Sequence, residues 1–297
     1  MDVDRQLPIG DEIFLDHVGH FVRDTASARE AFVRAGFAPT PVSVQIDRNT
    51  GQPTGTGNIT AMLGRGYVEV LFKTADTPIG RELDAALARD PGIHLAAFAV
   101  ADAAAAHRRL AGCGFPVRPL AEIERPVETE MGAGTAAFTV ARVEPGAMPE
   151  GRIQILTHCT PDRVWQERWL RHPNGSVALA RLIIAVSDVE EAAQRFSRFT
   201  DRDARPSRTG QTIWLDRGRI ELVMPEAFAA TLPEVSIPQL PRIGAYGLLV
   251  ASLDHTEAVL RQGGLPTRRI GPALAVRFPH VLGHGAWLFA EKAADFP

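Results

Sequence analysis

The chain has 297 residues, of which 45% are hydrophobic and 23% are charged. This composition is typical of a globular protein, and the length allows one large domain or two of about 150 residues. The net charge of −3 argues against nucleic acid as a partner. No apolar stretch approaches the roughly 20 residues that span a bilayer, and the first residues lack a secretory signal. We therefore expect a cytoplasmic protein that binds neither nucleic acid nor membrane.

One short pattern of elements occurs four times along the chain. Each copy begins with an apolar strand and continues with a polar capping residue, an Ala-rich or amphipathic helix, a glycine and further strands. The opening strands are predicted at residues 16–22, 93–100, 179–186 and 245–250. A unit of this size cannot bury its apolar face alone, so the copies must pack together. The surface where they meet is where we expect a ligand to bind.

The helix after each opening strand is predicted from its cap and its stop. The candidate N-caps are Asp24 or Thr25, Asp102, Ser187 or Asp188, and Ser252 or Asp254. Apolar residues at helical spacing then share one face, as Ala28, Ala31 and Phe32 do in the first copy. Gly36 ends that first helix.

Each copy closes with a strand that follows a glycine-containing turn. In the first of these strands, Glu69 points to the face opposite Val68 and Val70, because side chains alternate along a strand. A carboxylate in an apolar strand is costly to bury unless it is paired, hydrogen-bonded or bound to a metal. Glu221 has the corresponding place in the third copy.

Two linkers interrupt the repeats. Residues 77–91 predict a connecting helix, with Leu83 and Leu87 along one side and a Pro-Gly pair at its end. The longer linker carries Trp165 and Trp169 and reads as a short helix followed by a turn. We therefore predict domains at residues 1–160 and 177–297, joined by a packed strap at residues 161–176.

The two cysteines are far apart in sequence. Cys113 and Cys159 have no CxxC partner, so they predict neither a disulfide framework nor a thiolate zinc site. We expect both to be small buried residues.

Several motifs of the first copy together carry a family resemblance. They are the opening Asp16-His17-Val18, the Gly-Phe helix stop, the run Gly55-Thr56-Gly57-Asn58 and the strand Tyr67-Val68-Glu69. In this, the chain resembles the glyoxalase-like branch of the vicinal oxygen chelate superfamily, whose paired βαβββ modules curve around a divalent metal. The resemblance covers the whole chain. It implies an α+β fold with four βαβββ modules that form two cup-shaped mixed-sheet domains.

The resemblance also implies where metal ligands lie. His17 falls on the first ligand position and Glu69 on the second, and both types suit zinc, manganese, iron or nickel. The third position falls on Leu95, with His94 one residue early. That offset turns a strand side chain to the other face unless there is a bulge. The fourth falls on Gln154, whose amide oxygen is a weaker donor.

The second half departs further from the ligand pattern. Its four corresponding positions are Arg181, Glu221, Ala245 and Leu288. We expect no metal there. Arg181 could form a buried ion pair with Glu221, or it could hold an anionic substrate.

The candidate residues have alternative interpretations. His17 and Glu69 could be metal ligands, or they could be a hydrogen-bonded acid–base couple without metal. The glycine-rich run ending at Asn58 could approach a substrate or could be a simple turn. His20 points away from His17 and is expected to be structural or solvent-facing. Other histidines, His158 and His172 near the strap, are expected to be solvated or capping.

Three functions follow from these observations. The first is an enzyme of isomerase, lyase or dioxygenase type that acts on a small oxygen-rich substrate with His17 and Glu69, assisted by a metal. Its substrate-binding candidates are Asn58, Gln154 and Arg181, and its metal candidates are His17, Glu69 and Gln154. The second is the same acid–base pair without metal. The third is a binding protein that sequesters a small molecule, of the resistance-protein type. Four modules in one chain are compatible with a monomer or a homodimer.

Overall fold

A computed structural model describes residues 5–297, which form two eight-stranded sheets with helices packed against them. The strands of the first sheet are β1 Ile13–Phe21, β2 Ser43–Asp47, β3 Pro53–Met62, β4 Tyr67–Lys73, β5 Gly92–Val100, β6 Ala121–Thr129, β7 Gly132–Arg142 and β8 Arg152–His158. Those of the second are β9 Ser176–Ala185, β10 Ala204–Pro206, β11 Gly210–Trp214, β12 Arg219–Val223, β13 Arg242–Val250, β14 Arg268–Ile270, β15 Ala273–Arg277 and β16 Ala286–Ala290. The α+β class and the four βαβββ modules are confirmed.

Four of the seven helices in residues 5–297 begin where the capping residues predict them, whereas Pro225–Thr231 was not predicted from the sequence. They are α1 Thr25–Arg34, α2 Pro78–Arg89, α3 Ala103–Gly112, α4 Pro161–Val164, α5 Val189–Thr200, α6 Pro225–Thr231 and α7 Leu253–Gln262. Short 3₁₀ turns cover Glu167–Trp169, His280–Leu282 and Ala293–Asp295. The N-caps of α1, α3, α5 and α7 are Asp24, Asp102, Asp188 and Ser252, whose side chains accept backbone N–H groups of the first turn. No helix in residues 5–297 is long and apolar enough to cross a membrane.

The first sheet closes into a barrel. Its strand order is β1-β4-β3-β2-β6-β7-β8-β5, and β1 joins its two modules because it pairs parallel with β4 and antiparallel with β5. The ring is completed where β2 meets β6, with Ile46 opposite Glu124 and Asp47 opposite Ile123. Closure removes the exposed edges that an open sheet would have. It also leaves a small enclosed interior for inward-facing side chains.

The second sheet is open and its concave face is filled. The short strands β10 and β14 form its edges. Apolar residues of β9, β13 and β16 pack there against Phe228 and Leu232 from α6 and its end, and against Phe296 near the C-terminus. The concave face of this half is therefore part of the core rather than a cavity.

The two sheets share one core, which the helices complete. Phe32 and Phe37 from the first half pack against Trp287 from the second. The division into domains at residues 1–160 and 177–297 stays a prediction.

A buried hydrogen-bond chain crosses this core at His20. Nε2 of His20 lies 3.0 Å from the Tyr246 hydroxyl, and its Nδ1 lies 3.0 Å from the Leu282 carbonyl oxygen. The Trp287 indole N–H donates to the same hydroxyl. Since the carbonyl can only accept, Nδ1 carries the proton of a neutral ring and the Tyr246 hydroxyl donates to Nε2. His20 therefore has a structural role and faces away from His17.

Two sequence interpretations need correction. Cys113 and Cys159 are exposed, because Cys113 follows the last residue of α3 and Cys159 follows the last residue of β8. The glycine-rich run before Asn58 is part of strand β3 rather than a turn, and a Cβ on Gly57 would lie 2.8 Å from the Phe72 ring. That glycine therefore makes room for packing.

Candidate functional site

The barrel interior holds a small cavity of about 30 Å³, which we call the inner cavity. Polar side chains from seven of the eight strands line it, among them His17, Gln45, Asn58, Glu69, Arg125, Arg142, Arg152 and Gln154. Apolar side chains such as Leu71, Leu95 and Phe138 complete the wall. This volume exceeds what one water molecule needs, so the inner cavity can admit a small polar group.

A β-bulge in β1 places two adjacent polar residues at the site. Leu15 pairs with Phe98 and His17 pairs with Ala97, so Asp16 is an extra residue in the strand. The bulge breaks the alternation of faces, and Asp16 and His17 come into contact with each other. Both are almost fully buried.

Asp16 fixes the orientation of His17. The Nδ1 atom of His17 lies 2.7 Å from Asp16 Oδ2, and the ring stacks on Tyr67 with centroids 4.3 Å apart. Burial raises the pKa of Asp16, but the neighbouring His158 and His17 outweigh burial and hold that pKa well below its usual value. Asp16 is therefore an anion that accepts the Nδ1 proton. The free Nε2 atom lies 3.7 Å from Glu69 Oε2.

His158 is a second imidazole on the same carboxylate. Its Nε2 lies 3.0 Å from Asp16 Oδ1, and its ring contacts Trp165 of the strap with centroids 4.4 Å apart. Expecting a solvated or capping role for His158 was wrong, since the ring is buried beside the site. His172 is also buried, where it joins the Ala38 N–H to the Met62 carbonyl. The strap thus packs through Trp165 against Tyr67 and His158 beside the site.

Glu69 is held from the opposite side by Asn58. The Asn58 amide donates to Glu69 Oε1, while Asn58 Oδ1 is buried without a hydrogen-bond partner in the described part of the chain. Glu69 is 4% exposed. One carboxylate oxygen is therefore positioned by a donor, and the other faces the His17 imidazole across a gap too long for a hydrogen bond.

The donor set does not fit a divalent metal ion of the kind that the resemblance implies. Only His17 and Glu69 converge, Leu95 is apolar, and the Gln154 carbonyl oxygen already accepts from Arg142 Nε at 3.1 Å. Structural and catalytic sites normally use three or four protein donors. Within residues 5–297, no cluster of three or more His, Cys, Asp or Glu side chains could hold a metal.

The charges around the inner cavity are also unfavourable for a cation. Three guanidinium groups line it against the single carboxylate of Glu69, and like charges at close range in a buried site are strongly repulsive. Metal binding by His17, Glu69 and Gln154 stays a prediction, and the donor chemistry gives it no support.

A larger cavity of about 410 Å³ adjoins the inner cavity, and we call it the outer cavity. It lies between α2, the start of β5 and the segment that joins β7 to β8, and it is lined in part by Phe21, Ala86 and Met148. Arg142 and Arg152 line both cavities, so these two residues stand at the boundary between them.

His94 lies at the outer cavity rather than at the third ligand position. It is the bulged residue of β5, because Gly19 pairs with Leu95 and His20 pairs with Ile93. The required bulge is therefore present. The His94 ring is nevertheless engaged by the Asp90 carbonyl at 2.7 Å, and burial lowers its pKa to about 4.

The second half does not contribute to the inner cavity. Arg181 forms a buried ion pair with Glu221, and its Nη2 also donates to the Pro297 carbonyl at 2.8 Å. Arg219 donates to the same Glu221 carboxylate at 2.7 Å. This is the ion-pair alternative of the two that the sequence left open for Arg181, while substrate binding by Arg181 stays an unsupported prediction.

Sequence reasoning missed five residues around the site: Asp16, Arg125, Arg142, Arg152 and His158. Two of them could have been found, because Arg152 and His158 alternate with Gln154 along β8 and so share its face. Asp16 depends on a bulge, and Arg125 depends on closure of the barrel through β6. Neither the bulge nor the closure of the barrel can be predicted from the local sequence pattern.

Comparison with known proteins agrees with this architecture. The sequence profile described as glyoxalase-like domain matches residues 15–200. A search of curated proteins gave no match. Among solved structures, a hypothetical protein from Staphylococcus aureus has a TM-score of 0.63 at 12% identity, covering 93% of this chain and 98% of the other.

Two further structures have named activities. A mutant of 4-hydroxymandelate synthase from Streptomyces coelicolor has a TM-score of 0.57 at 14% identity, covering 94% of this chain and 92% of the other. The Mn(II)-bound glyoxalase from Novosphingobium aromaticivorans has a TM-score of 0.51 at 14% identity, covering 95% and 82%. At these identities the likeness concerns the fold alone. Because the profile spans more than half of the sequence, this chain belongs to the glyoxalase-like domain family.

Proposed function

We propose that this protein is an enzyme that moves a proton on a small substrate in the barrel, with Glu69 as general base and His17 as general acid. The observation that carries the proposal is the gap of 3.7 Å between His17 Nε2 and Glu69 Oε2. Each side chain is fixed on its far side, by Asp16 and by Asn58 respectively. Such a pair can exchange protons with a guest that contacts both groups from the inner cavity.

The reaction that suits this pair is proton transfer at a carbon next to a carbonyl group. Glu69 takes the proton from that carbon, and the C–H electron pair moves toward the carbonyl oxygen. His17, when protonated on both ring nitrogens, donates its Nε2 proton to that oxygen, which gives an enol. When the same carbon carries a hydroxyl group, Glu69 then gives its proton to the former carbonyl carbon and that hydroxyl gives its proton to His17, which completes an isomerisation. The same first step begins an elimination by a lyase.

Asp16 is a positioning residue in this scheme. Its anion accepts the Nδ1 proton of His17 and stabilises the imidazolium when Nε2 is protonated. His158 donates to the other oxygen of Asp16, which holds the carboxylate in place. A carboxylate behind a catalytic imidazole fixes both its tautomer and its orientation. Support for the enzyme assignment also comes from the activities named for the glyoxalase and synthase neighbours.

The test is exchange of carbon-bound hydrogen in deuterium oxide, followed by proton NMR. The panel contains small 2-oxo acids, 2-hydroxy ketones and the methylglyoxal–glutathione hemithioacetal. Enzyme-dependent exchange is expected for at least one compound, and Glu69→Gln is expected to slow it by about 10²–10⁴-fold. Glu122→Gln is the matched control, since Glu122 is in the same barrel but outside both cavities.

Two outcomes would contradict the proposal. One is exchange by Glu69→Gln at the rate of the unaltered chain. The other is ligand binding in the inner cavity with no exchange for any compound of the panel, which would favour the binding-protein alternative. Thermal unfolding of both variants checks that a loss of exchange does not come from misfolding.

A further inference from the structure

We propose that the natural ligand is an organic anion whose acid group lies between Arg125, Arg142 and Arg152 and whose apolar body lies in the outer cavity. The proposal rests on the proposed function only in placing the reacting carbon beside Glu69. The binding of the anion itself depends on the arginines.

The inner cavity has an excess of positive charge. Among the described residues, its lining contains three guanidinium groups and one carboxylate, and its other titratable side chains are His17 and Tyr67. Buried charges are costly unless they are paired. The excess positive charge is therefore a feature that a bound anion would neutralise.

The three arginines differ in their hydrogen-bond and ion-pair partners. Arg152 Nη2 lies 3.3 Å from Glu82 Oε2, and Glu82 also pairs with Arg118 at 2.7 Å. Arg142 donates through Nε to the neutral Gln154 amide. Arg125 is only 6% exposed, yet its guanidinium group makes no hydrogen bond or ion pair with any residue of the described range 5–297. Two of the three guanidinium groups therefore lack a carboxylate partner.

The burial of Arg142 and Arg125 also favours a bound anion. Burial, together with the nearby Arg152, lowers the pKa of Arg142 to about 9. Burial likewise lowers the pKa of Arg125, although Tyr67 and Glu69 oppose the change. A guanidinium presents a planar fork of donors that matches the oxygens of a carboxylate or phosphate. An acid group at this position would replace the solvation that these side chains have lost.

The sizes of the two cavities define the shape of the ligand. The inner cavity of about 30 Å³ admits only a small head group. The outer cavity of about 410 Å³ has room for a larger body. Most of its wall surface is apolar, with Phe21, Ala85 and Val143 among the lining residues, which favours an apolar body. Charged side chains also line it: Glu82, Arg89, Arg118 and Glu144.

Isothermal titration with three probes tests the proposal. Phenylacetate and phenyl phosphate represent the two kinds of acid group, and 2-phenylethanol is a neutral compound of similar size. At least one anion is expected to bind about tenfold or more tightly than 2-phenylethanol, because hydrogen bonds between charged groups are stronger than hydrogen bonds between neutral groups. The anion that binds more tightly identifies the acid group.

Variants then locate the binding. Arg142→Met and Arg125→Met are each expected to weaken anion binding at least tenfold and to leave 2-phenylethanol unchanged. Arg142→Lys should recover part of the loss, because it restores the charge but not the fork. The matched control is Arg81→Met, which removes the same charge from the surface of α2 and is expected to change binding less than twofold.

Binding and chemistry can fail separately. Glu69→Gln is expected to retain or strengthen anion binding while it loses hydrogen exchange. If neither anion binds better than 2-phenylethanol, or if Arg142→Met binds the anion as tightly as the unaltered chain, the anion proposal is overturned whatever the exchange assay shows. Exchange lost with Glu69→Gln in that case would leave the proposed function intact.

Discussion

Acid should weaken the packing between the two halves of the chain, because it protonates His20. Burial lowers the pKa of His20 from its ordinary 6.5 to about 4, although the Leu282 carbonyl opposes this. The folded protein thus binds fewer protons than the unfolded chain between these two pH values. The stabilisation is therefore fully present above pH 6.5 and is lost as the pH falls toward 4.

The size of this effect follows from the two pKa values. With 1.36 kcal/mol per pH unit, His20 alone should reduce the free energy of unfolding by about 2 kcal/mol at pH 5 and about 3 kcal/mol at pH 4, relative to pH 8. The structural reason is the direction of the hydrogen bonds. A proton on Nε2 would face the Tyr246 hydroxyl hydrogen, so the chain through Tyr246 and Trp287 would have to rearrange.

Urea unfolding at several pH values between 8 and 4 measures this effect. His20→Gln can keep an acceptor toward Tyr246 and a donor toward Leu282, but it does not titrate. Its loss of stability between pH 8 and pH 5 should be about 2 kcal/mol smaller than that of the unaltered chain. His94→Gln is the matched variant, because burial gives His94 a pKa of about 4 as well. Identical pH dependence in His20→Gln and the unaltered chain would refute the reasoning.

Three further predictions concern the site and the packing. Asp16→Asn should lower the exchange rate by about 10²-fold or more and change its pH profile, because the His17 tautomer is no longer fixed; an unchanged profile would count against a positioning role. The contents of zinc, manganese, iron and nickel should each be well below one ion per chain by elemental analysis, and His17→Ala should not lower them further. A stoichiometric ion that is lost in His17→Ala would contradict the conclusion that the donor set does not fit a divalent metal. Gly283→Ala should destabilise the fold by about 2 kcal/mol or more in urea unfolding, since its φ is +85° and a Cβ would lie 2.0 Å from the Pro91 carbonyl oxygen.

The repeated modules could be predicted from the sequence because their signals are local. A capping aspartate accepts backbone N–H groups two or three residues later, as Asp24 and Asp102 do. A strand is visible in its alternation of side chains. The pairing of His17 with Glu69 could also be predicted, since the resemblance places both at the same hollow and the structure puts them 3.7 Å apart.

The chemical character of the cavity could not be predicted in the same way. Arg125 reaches the interior only because β2 pairs with β6 and closes the barrel. Asp16 contacts His17 only because β1 has a bulge against β5. Whether Arg181 is available to a substrate depends on α6 and the C-terminal segment, which fill the concave face of the second sheet. Each of these outcomes requires contacts between residues far apart in sequence.

The sequence by itself determined the elements, the modules and the two central candidates, because capping, alternation and glycine stops act over a few residues. Only the tertiary structure decided that three arginines and one carboxylate share the inner cavity and that the concave face of the second sheet is filled. The physical reason is that burial and charge balance are properties of a closed surface, which exists only after distant strands have met.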